Sequence, residues 1–303
     1  MKKHNFGKGL MREWPMHLMM LPAVLLIILF SYIPYAGLAI AFERFNPSKG
    51  FFGSPFVGWD NFEYMIKMPG ISQVIWNTVY IACMKMVGGL IVPIVFALLL
   101  NEVIHTKFKR AVQTLIYLPH FLSWVILGGV LTDILSPSGG LVNSLIGWFG
   151  AEPVFFLGNE KLFPYVLVAS DIWKEFGFGT IIYLAAITSI NPVLYEAAIC
   201  DGASRWRQVW HITLPGMTPI IVLMMTLSLG NVLNAGFDQV FNLYSPVVYR
   251  TGDILDTLVY RLGLIDAQYG VATAVGLFKS VVSTVFIVIS YICAFRFANY
   301  RIF

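Results

Sequence analysis

Apolar residues in this chain do not alternate with polar ones; they gather in long runs. Six segments read as helices crossing a membrane: residues 17–41, 74–100, 113–135, 164–188, 216–238 and 272–295. A crossing needs roughly 20 apolar residues, and each run approaches or exceeds that. The pattern predicts an all-α membrane protein with six transmembrane helices in a single domain over residues 1–303. The first run contains Ala39-Ile40-Ala41, which resembles a signal-peptide cleavage site. Its apolar region is longer than the roughly 7–15 residues of a signal peptide, so a retained helix is expected. Between the runs, residues 42–73 have amphipathic character. Residues 136–163 read as a short re-entrant or interfacial hairpin with Gly-rich turns, and residues 239–271 as a polar outside loop.

Composition sharpens this picture. The chain is 58% apolar and 12% charged, where a soluble domain has about 25% charged residues, and its mean hydropathy is +0.75. A disordered tail, a secreted disulfide domain and almost any soluble fold are excluded on that ground. The net charge of +4 is thinly spread, without the basic run that a nucleic-acid partner would require. Placing both termini in the cytoplasm puts eleven Lys and Arg in the inner connections and six in the outer ones, which is the positive-inside sense. Cys83, Cys200 and Cys293 have no metal or redox spacing.

Three lysines, Lys85, Lys174 and Lys279, fall within or near the ends of spans. An ionisable group at membrane depth faces a cavity or pairs with another charge. Asp171, Lys174 and Glu175 stand at i, i+3 and i+4 and can meet on one helix face. They either pair with each other at the outer interface or line a solute path. Signals for catalysis are missing. There is no G-x-x-x-x-G-K-[ST] phosphate cradle, no H-E-x-x-H and no G-x-S-x-G. Gly177-Phe178-Gly179 does not complete a dinucleotide fingerprint, and the five histidines are scattered. A non-enzymatic chain that binds no metal or cofactor of its own is expected.

The informative stretch is NPVLYEAAICDGASRWRQVWHITLPGMTP, residues 191–219, on the cytoplasmic side between the fourth and fifth spans. Asn191-Pro192 is a helix start, with a capping side chain followed by proline at the first helical position. Asp201-Gly202 ends that helix, since glycine supplies positive φ. Ser204 can cap a second short helix running to about His211, and Pro215 opens the fifth span. The result is a helix–turn–helix along the membrane surface. By its residues alone, with Trp206, Trp210, Arg205 and Arg207, it could simply lie on the headgroups.

The segment EAAICDGASRWRQVWHITLP resembles the EAA loop of binding-protein-dependent ABC importer permeases. The matching positions are Glu196, Ala197, Ala198, Asp201, Gly202, Ala203, Leu214 and Pro215. Flanking text, including SDIWKEFGFGTIIYLAAITSI before it and ATAVGLFKS after it, is similar to the carbohydrate-uptake branch, in particular the LplB-like oligosaccharide and polysaccharide permeases. The likeness runs from about residue 20 to the end. It departs from the maltose-type permease in lacking a large extracytoplasmic insert and extra N-terminal spans.

The resemblance implies a type I importer permease in a bacterial cytoplasmic membrane. Its loop over 191–215 would be a coupling helix docked on a cytoplasmic ATPase through Glu196, Ala197, Ala198, Asp201, Gly202 and Ala203. It also implies a second homologous permease and two ABC ATPase subunits that bind the ATP and Mg. An extracytoplasmic sugar-binding protein, often a lipoprotein, would deliver an oligosaccharide. A secondary transporter or channel is the alternative, but such folds show repeats and midplane carboxylates, whereas the charges here are expected near helix ends.

For the solute path, Ser228, Asn231, Asn234 and Asp238 recur on one side of a continuous fifth helix. Either they hydrogen-bond sugar hydroxyls, or they bond to neighbouring helices. The family resemblance adds Trp173, Lys174, Glu175 and Phe176 on the preceding span as sugar-facing candidates.

Overall fold

The computed structural model describes residues 6–230 and 233–298. Among the described residues the regular structure is helical, apart from one isolated bridge pairing Glu43 with Phe56. In chain order the helices are α1 (Phe6–Ile27), which continues as a wider and then a tighter helix to Phe42, α2 (Asp60–Lys67), α3 (Ile71–Glu102), α4 (Thr106–Tyr117), α5 (Trp124–Leu135), α6 (Leu141–Trp148) and α7 (Phe163–Thr188). They are followed by α8 (Pro192–Cys200), α9 (Leu214–Leu229), α10 (Phe237–Leu243), α11 (Leu255–Tyr260) and α12 (Tyr269–Ala298). By length and apolarity, 14–42, 71–102, 205–229 and 269–289 can each cross a membrane. Two bent pairs qualify only together: 106–121 with 124–135, and 163–188 with 192–200. Among the described residues, four to six segments can therefore cross by length and composition.

Three expectations change. Residues 113–135 are not one helix. α4 and α5 meet at 108°, because Pro119 lacks a backbone N–H and Ser123 caps a new helix by accepting from Ile126 N at 3.4 Å. Residues 216–238 are not one helix either. α9 ends at Leu229, and the chain turns through Gly236 at φ +89° before α10 begins. Nor is 239–271 a polar loop. Val240, Val248 and Ile254 are fully buried there, with Leu243, Leu255 and Leu258 nearly so. Its apolar residues are too few per run to read as spans, but they recur at helical spacing and cover a core.

The chain forms two compact units. Among the described residues, the first comprises those up to Ile66 with Leu262–Leu277, and the second those of Lys67–Arg261 with those from Phe278 onward. In the first, Asn61 Nδ2 donates to the carbonyls of Ala41 at 2.9 Å and Glu43 at 3.0 Å. The rings of Phe42, Trp59 and Phe62 pack on one another there.

In the second unit, α3 and α7 run parallel in close contact. Ile172 lies over Gly88, and Pro93 over Gly179. One apolar cluster joins Ile81, Phe163, Leu167, Ala235, Val240 and Ile254, and another joins Ala97, Tyr183, Ile187 and Met217. The segment after α10 is tied to the start of α3. Asn77 Nδ2 donates to the carbonyls of Arg250 and Asp253, both at 3.1 Å, and Leu255 N donates to Thr78 Oγ1 at 2.9 Å. Arg261 holds both oxygens of buried Asp253, at 3.3 and 2.5 Å.

Candidate functional site

The first candidate is the loop after α7. The chain turns by 68° from α7 into α8. Asn191 caps α8, its Oδ1 accepting from Val193 N at 3.1 Å, and Pro192 takes the first helical position. At the other end Ala203 N donates to Ala198 O at 2.8 Å, and Gly202 N to Ile199 O at 3.0 Å, with Gly202 at φ +72°. These two bonds and the left-handed glycine are a Schellman closure, which satisfies carbonyls that the helix end would otherwise leave free. Ser204 caps the next turn by accepting from Arg207 N at 3.4 Å. Buried Gln208 then ties the turn together by donating to Ala203 O at 3.0 Å.

This helix–turn–helix is capped and tied by its own hydrogen bonds but poorly covered. No residue of α8 is buried. Val193, Leu194, Ile199, Trp206 and Trp210 are all exposed. Glu196, Ala197, Asp201 and Gly202 are exposed, while Ala198 and Ala203 are half-buried. Arg205 reaches Glu102 at the end of α3, at 3.1 Å, and Tyr195 Oη meets Thr213 Oγ1 at 2.9 Å. The unit is thus clamped at its edges and leaves apolar surface open.

The second candidate is the polar face of α7. Asp171 does not pair with Lys174, as local spacing had allowed. It meets Lys85 of α3 at 3.3 Å. Lys85 lies in the middle of α3 with its side chain 8% exposed, so the expectation that charges sit near helix ends fails here. Its Nζ also donates to Ala235 O at 2.7 Å and to Gln239 Oε1. Gln239, fully buried, donates to Leu167 O at 2.7 Å and Ser170 Oγ at 2.8 Å. Lys174 pairs with Glu175 at 3.0 Å and donates to His120 O at 2.8 Å. Glu175 in turn meets His120 Nδ1 at 2.7 Å, and the His120 ring stacks on Phe178 with centroids 4.3 Å apart. Lys279 pairs with Asp256 at 2.5 Å.

The remaining predicted path residues separate. Trp173 is exposed, and Phe176 packs on Phe96 with centroids 4.6 Å apart. Ser228 lies in the last turn of α9, Asn234 in the turn that follows it, and Asp238 in α10. They therefore share no single helix face. Asn231 lies outside the described residues. Asn234 Oδ1 accepts from Gly236 N at 3.4 Å. Sequence reading did not single out Lys85, Gln239 and His120 as partners. The only signal was a charged or polar residue in an apolar run, and its partner lies 55 to 154 positions away. Among the described residues no group of His, Cys, Asp and Glu could hold a metal ion.

Residues 89–299 match the family model described as binding-protein-dependent transport system inner membrane component. The chain is 41% identical, over 97% of its length and 92% of the relative's, to the polygalacturonan/rhamnogalacturonan transport system permease protein YteP of Bacillus subtilis (strain 168). It is 39% identical to protein LplB of the same organism, over 93% of this chain and 90% of that one. Among solved structures it matches a chain of a bacterial ABC transporter involved in the import of the acidic polysaccharide alginate, with TM-score 0.90 and 39% identity over 97% of this chain and 99% of the other. A chain of the alginate transporter in complex with an alginate pentasaccharide-bound periplasmic protein matches with TM-score 0.89 and 38% identity, over 97% and 98% of the two chains.

Proposed function

The chain belongs to the binding-protein-dependent transport system inner membrane components, as a permease of an ABC importer, and we propose that it carries an oligosaccharide across the cytoplasmic membrane. In this reading it forms the path with a second homologous permease. Two cytoplasmic ABC ATPases drive it and bind the ATP and Mg, and an extracytoplasmic sugar-binding protein, anchored as a lipoprotein, loads it. Both termini and the α8 loop lie on the cytoplasmic side. Glu196, Ala197, Ala198, Asp201, Gly202 and Ala203 form or shape the surface that meets the ATPase. The solute path runs along α7 past Trp173, Lys174, Glu175 and Phe176, and past Ser228, Asn231, Asn234 and Asp238.

The observation that carries this reading is α8 itself. A nine-residue helix is far too short to be stable alone. Here it is fixed by caps at both ends and turned away from α7, yet none of its residues is fully buried. Exposed apolar surface held in a fixed conformation marks an interaction site, and a helix of this kind fits a groove in a partner. The oligosaccharide class is supported by the relatives, whose names refer to polygalacturonan, rhamnogalacturonan and alginate.

The test is reconstitution of the four-subunit complex in proteoliposomes with its binding protein, offering oligogalacturonate in one arm and a neutral oligosaccharide in the other. ATP hydrolysis should rise with loaded binding protein, and sugar should accumulate only with ATP. Accumulation driven by an ion gradient without ATP would overturn the reading. The chain purified alone should hydrolyse no ATP.

A further inference from the structure

Two helix breaks in the second unit share one construction. The first lies at residues 118–123 between α4 and α5, and the second at 233–236, just before α10. A broken helix leaves carbonyls without partners, and in a membrane these must be satisfied within the protein. At the first break Lys174 Nζ donates to His120 O at 2.8 Å. At the second, Lys85 Nζ donates to Ala235 O at 2.7 Å. The turn is built around this ammonium: a Cβ at Gly236 would lie 3.0 Å from Lys85 Nζ.

Each lysine comes from a continuous helix, and each also meets an acid on α7. Lys85 meets Asp171 at 3.3 Å, and Lys174 meets Glu175 at 3.0 Å. Positions 171 and 175 are one turn apart on the same face. The lysine side chains are 8% and 9% exposed, whereas Asp171 is 26% and Glu175 44% exposed. The ammonium groups are thus held inside against the breaks, and the acids are the more exposed member of each pair.

We infer that Lys85 and Lys174 are positioning residues that latch the two broken helices to α3 and α7, with Asp171 and Glu175 holding the two ammonium groups in register from one face of α7. The latches keep the path in the conformation seen here, and opening it requires each ammonium to leave its carbonyl. This rests on the transport reading above, but the latch can be read without transport.

The experiment uses the full complex with the three native cysteines replaced by alanine and a reporter cysteine at buried Leu233. Labelling rate by a soluble maleimide is measured for Lys85→Met, Lys85→Arg and the neutral pair Lys85→Met/Asp171→Asn, alongside ATP hydrolysis without binding protein. Losing a charge-assisted hydrogen bond should raise labelling about tenfold in Lys85→Met. The neutral pair should label as fast, and Lys85→Arg should stay near the parent. Basal hydrolysis should rise in step with labelling. Restoration of parental labelling in the neutral pair would mean that Lys85 only balances the charge of Asp171, and would overturn the latch. If Lys85→Met alone fails to assemble, the neutral pair, which leaves no buried unpaired acid, carries the same comparison. A parent complex that neither transports nor responds to binding protein would refute the transport reading and leave the labelling result standing. Lys174→Met with a reporter at half-buried Leu122 tests the other break in the same way.

Discussion

Gly177→Ala is the smallest change with the largest expected effect. A Cβ at position 177 would lie 1.9 Å from the carbonyl oxygen of Ile116 and 2.5 Å from its carbon. Close C···O contacts settle near 3.3 Å, so α4 and α7 must separate by about 1.4 Å. Nothing flexible can yield, because the obstacle is backbone. Overpacking a well-packed site costs about 1–3 kcal/mol, and a rigid obstacle places this case at the upper end. Against a total stability of about 5–15 kcal/mol, that is a large share. The effect is local as well. Ile116 precedes the first break by two residues, and Lys174 and Glu175 contact His120 within it. The measurement is the thermal midpoint of the purified complex together with uptake per assembled complex. Gly89→Ala is the control, since a Cβ there meets nothing within 4 Å and replacing a helical glycine gains up to about 1 kcal/mol. Gly177→Ala should lower both readouts while Gly89→Ala lowers neither. A Gly177→Ala complex with parental midpoint and uptake would refute the close-approach argument.

Gly202→Val should abolish most uptake while insertion persists, because Gly202 sits at φ +72° and a β-branched residue there costs about 1–2 kcal/mol. Gly202→Asn, which tolerates that conformation, should retain most of it; equal uptake in both variants would sink the idea. Asn191→Ala should cost about 1 kcal/mol of helix stability, seen as weaker ATPase association in pull-down and faster proteolysis of the loop. Arg261→Ala leaves buried Asp253 without its charged partner and should lower the thermal midpoint by an amount equivalent to about 3 kcal/mol. Arg250→Ala, an exposed residue 4.0 Å from Glu160, should cost less than about 1 kcal/mol. Asn234→Ala and Asn231→Ala should leave assembly and basal hydrolysis intact while lowering uptake; uptake that merely tracks protein level would make them packing residues.

What could be read from sequence was what local chemistry decides. The runs behind α3, α7 and α12 announce themselves by length, and α3 extends only a few residues beyond the run at each end. The α8 loop was legible nearly residue by residue. Asn191, Pro192, Gly202 and Ser204 act through neighbours within five positions, and such short-range bonds leave a signature in the chain. The segment after α10 was not legible as a packed element, because its buried residues are interspersed with Asn77-bound and Asp253-bound polar groups whose partners lie far away. Asn77 reaches Arg250 across 173 positions.

The helix breaks failed for a different reason. Hydropathy measures whether a segment prefers lipid, and both 113–135 and 216–238 do. It does not measure whether the backbone stays helical. In a membrane a break is affordable only where something supplies the missing donors, and here the donors are Lys85 and Lys174 on other helices. Read along the chain, those lysines look like defects in two apolar spans. Read across it, each is the partner that a break elsewhere requires. Asp171 shows the same limit from the other side. The i, i+3 rule offered Lys174 as its neighbour, but Lys174 turns to Glu175 and to the carbonyl of His120, while the buried ammonium of Lys85 needs a counter-charge. Desolvating an unpaired ammonium costs far more than a surface helix pair gains. The long-range pairing therefore wins, and it is the one that no local spacing could announce.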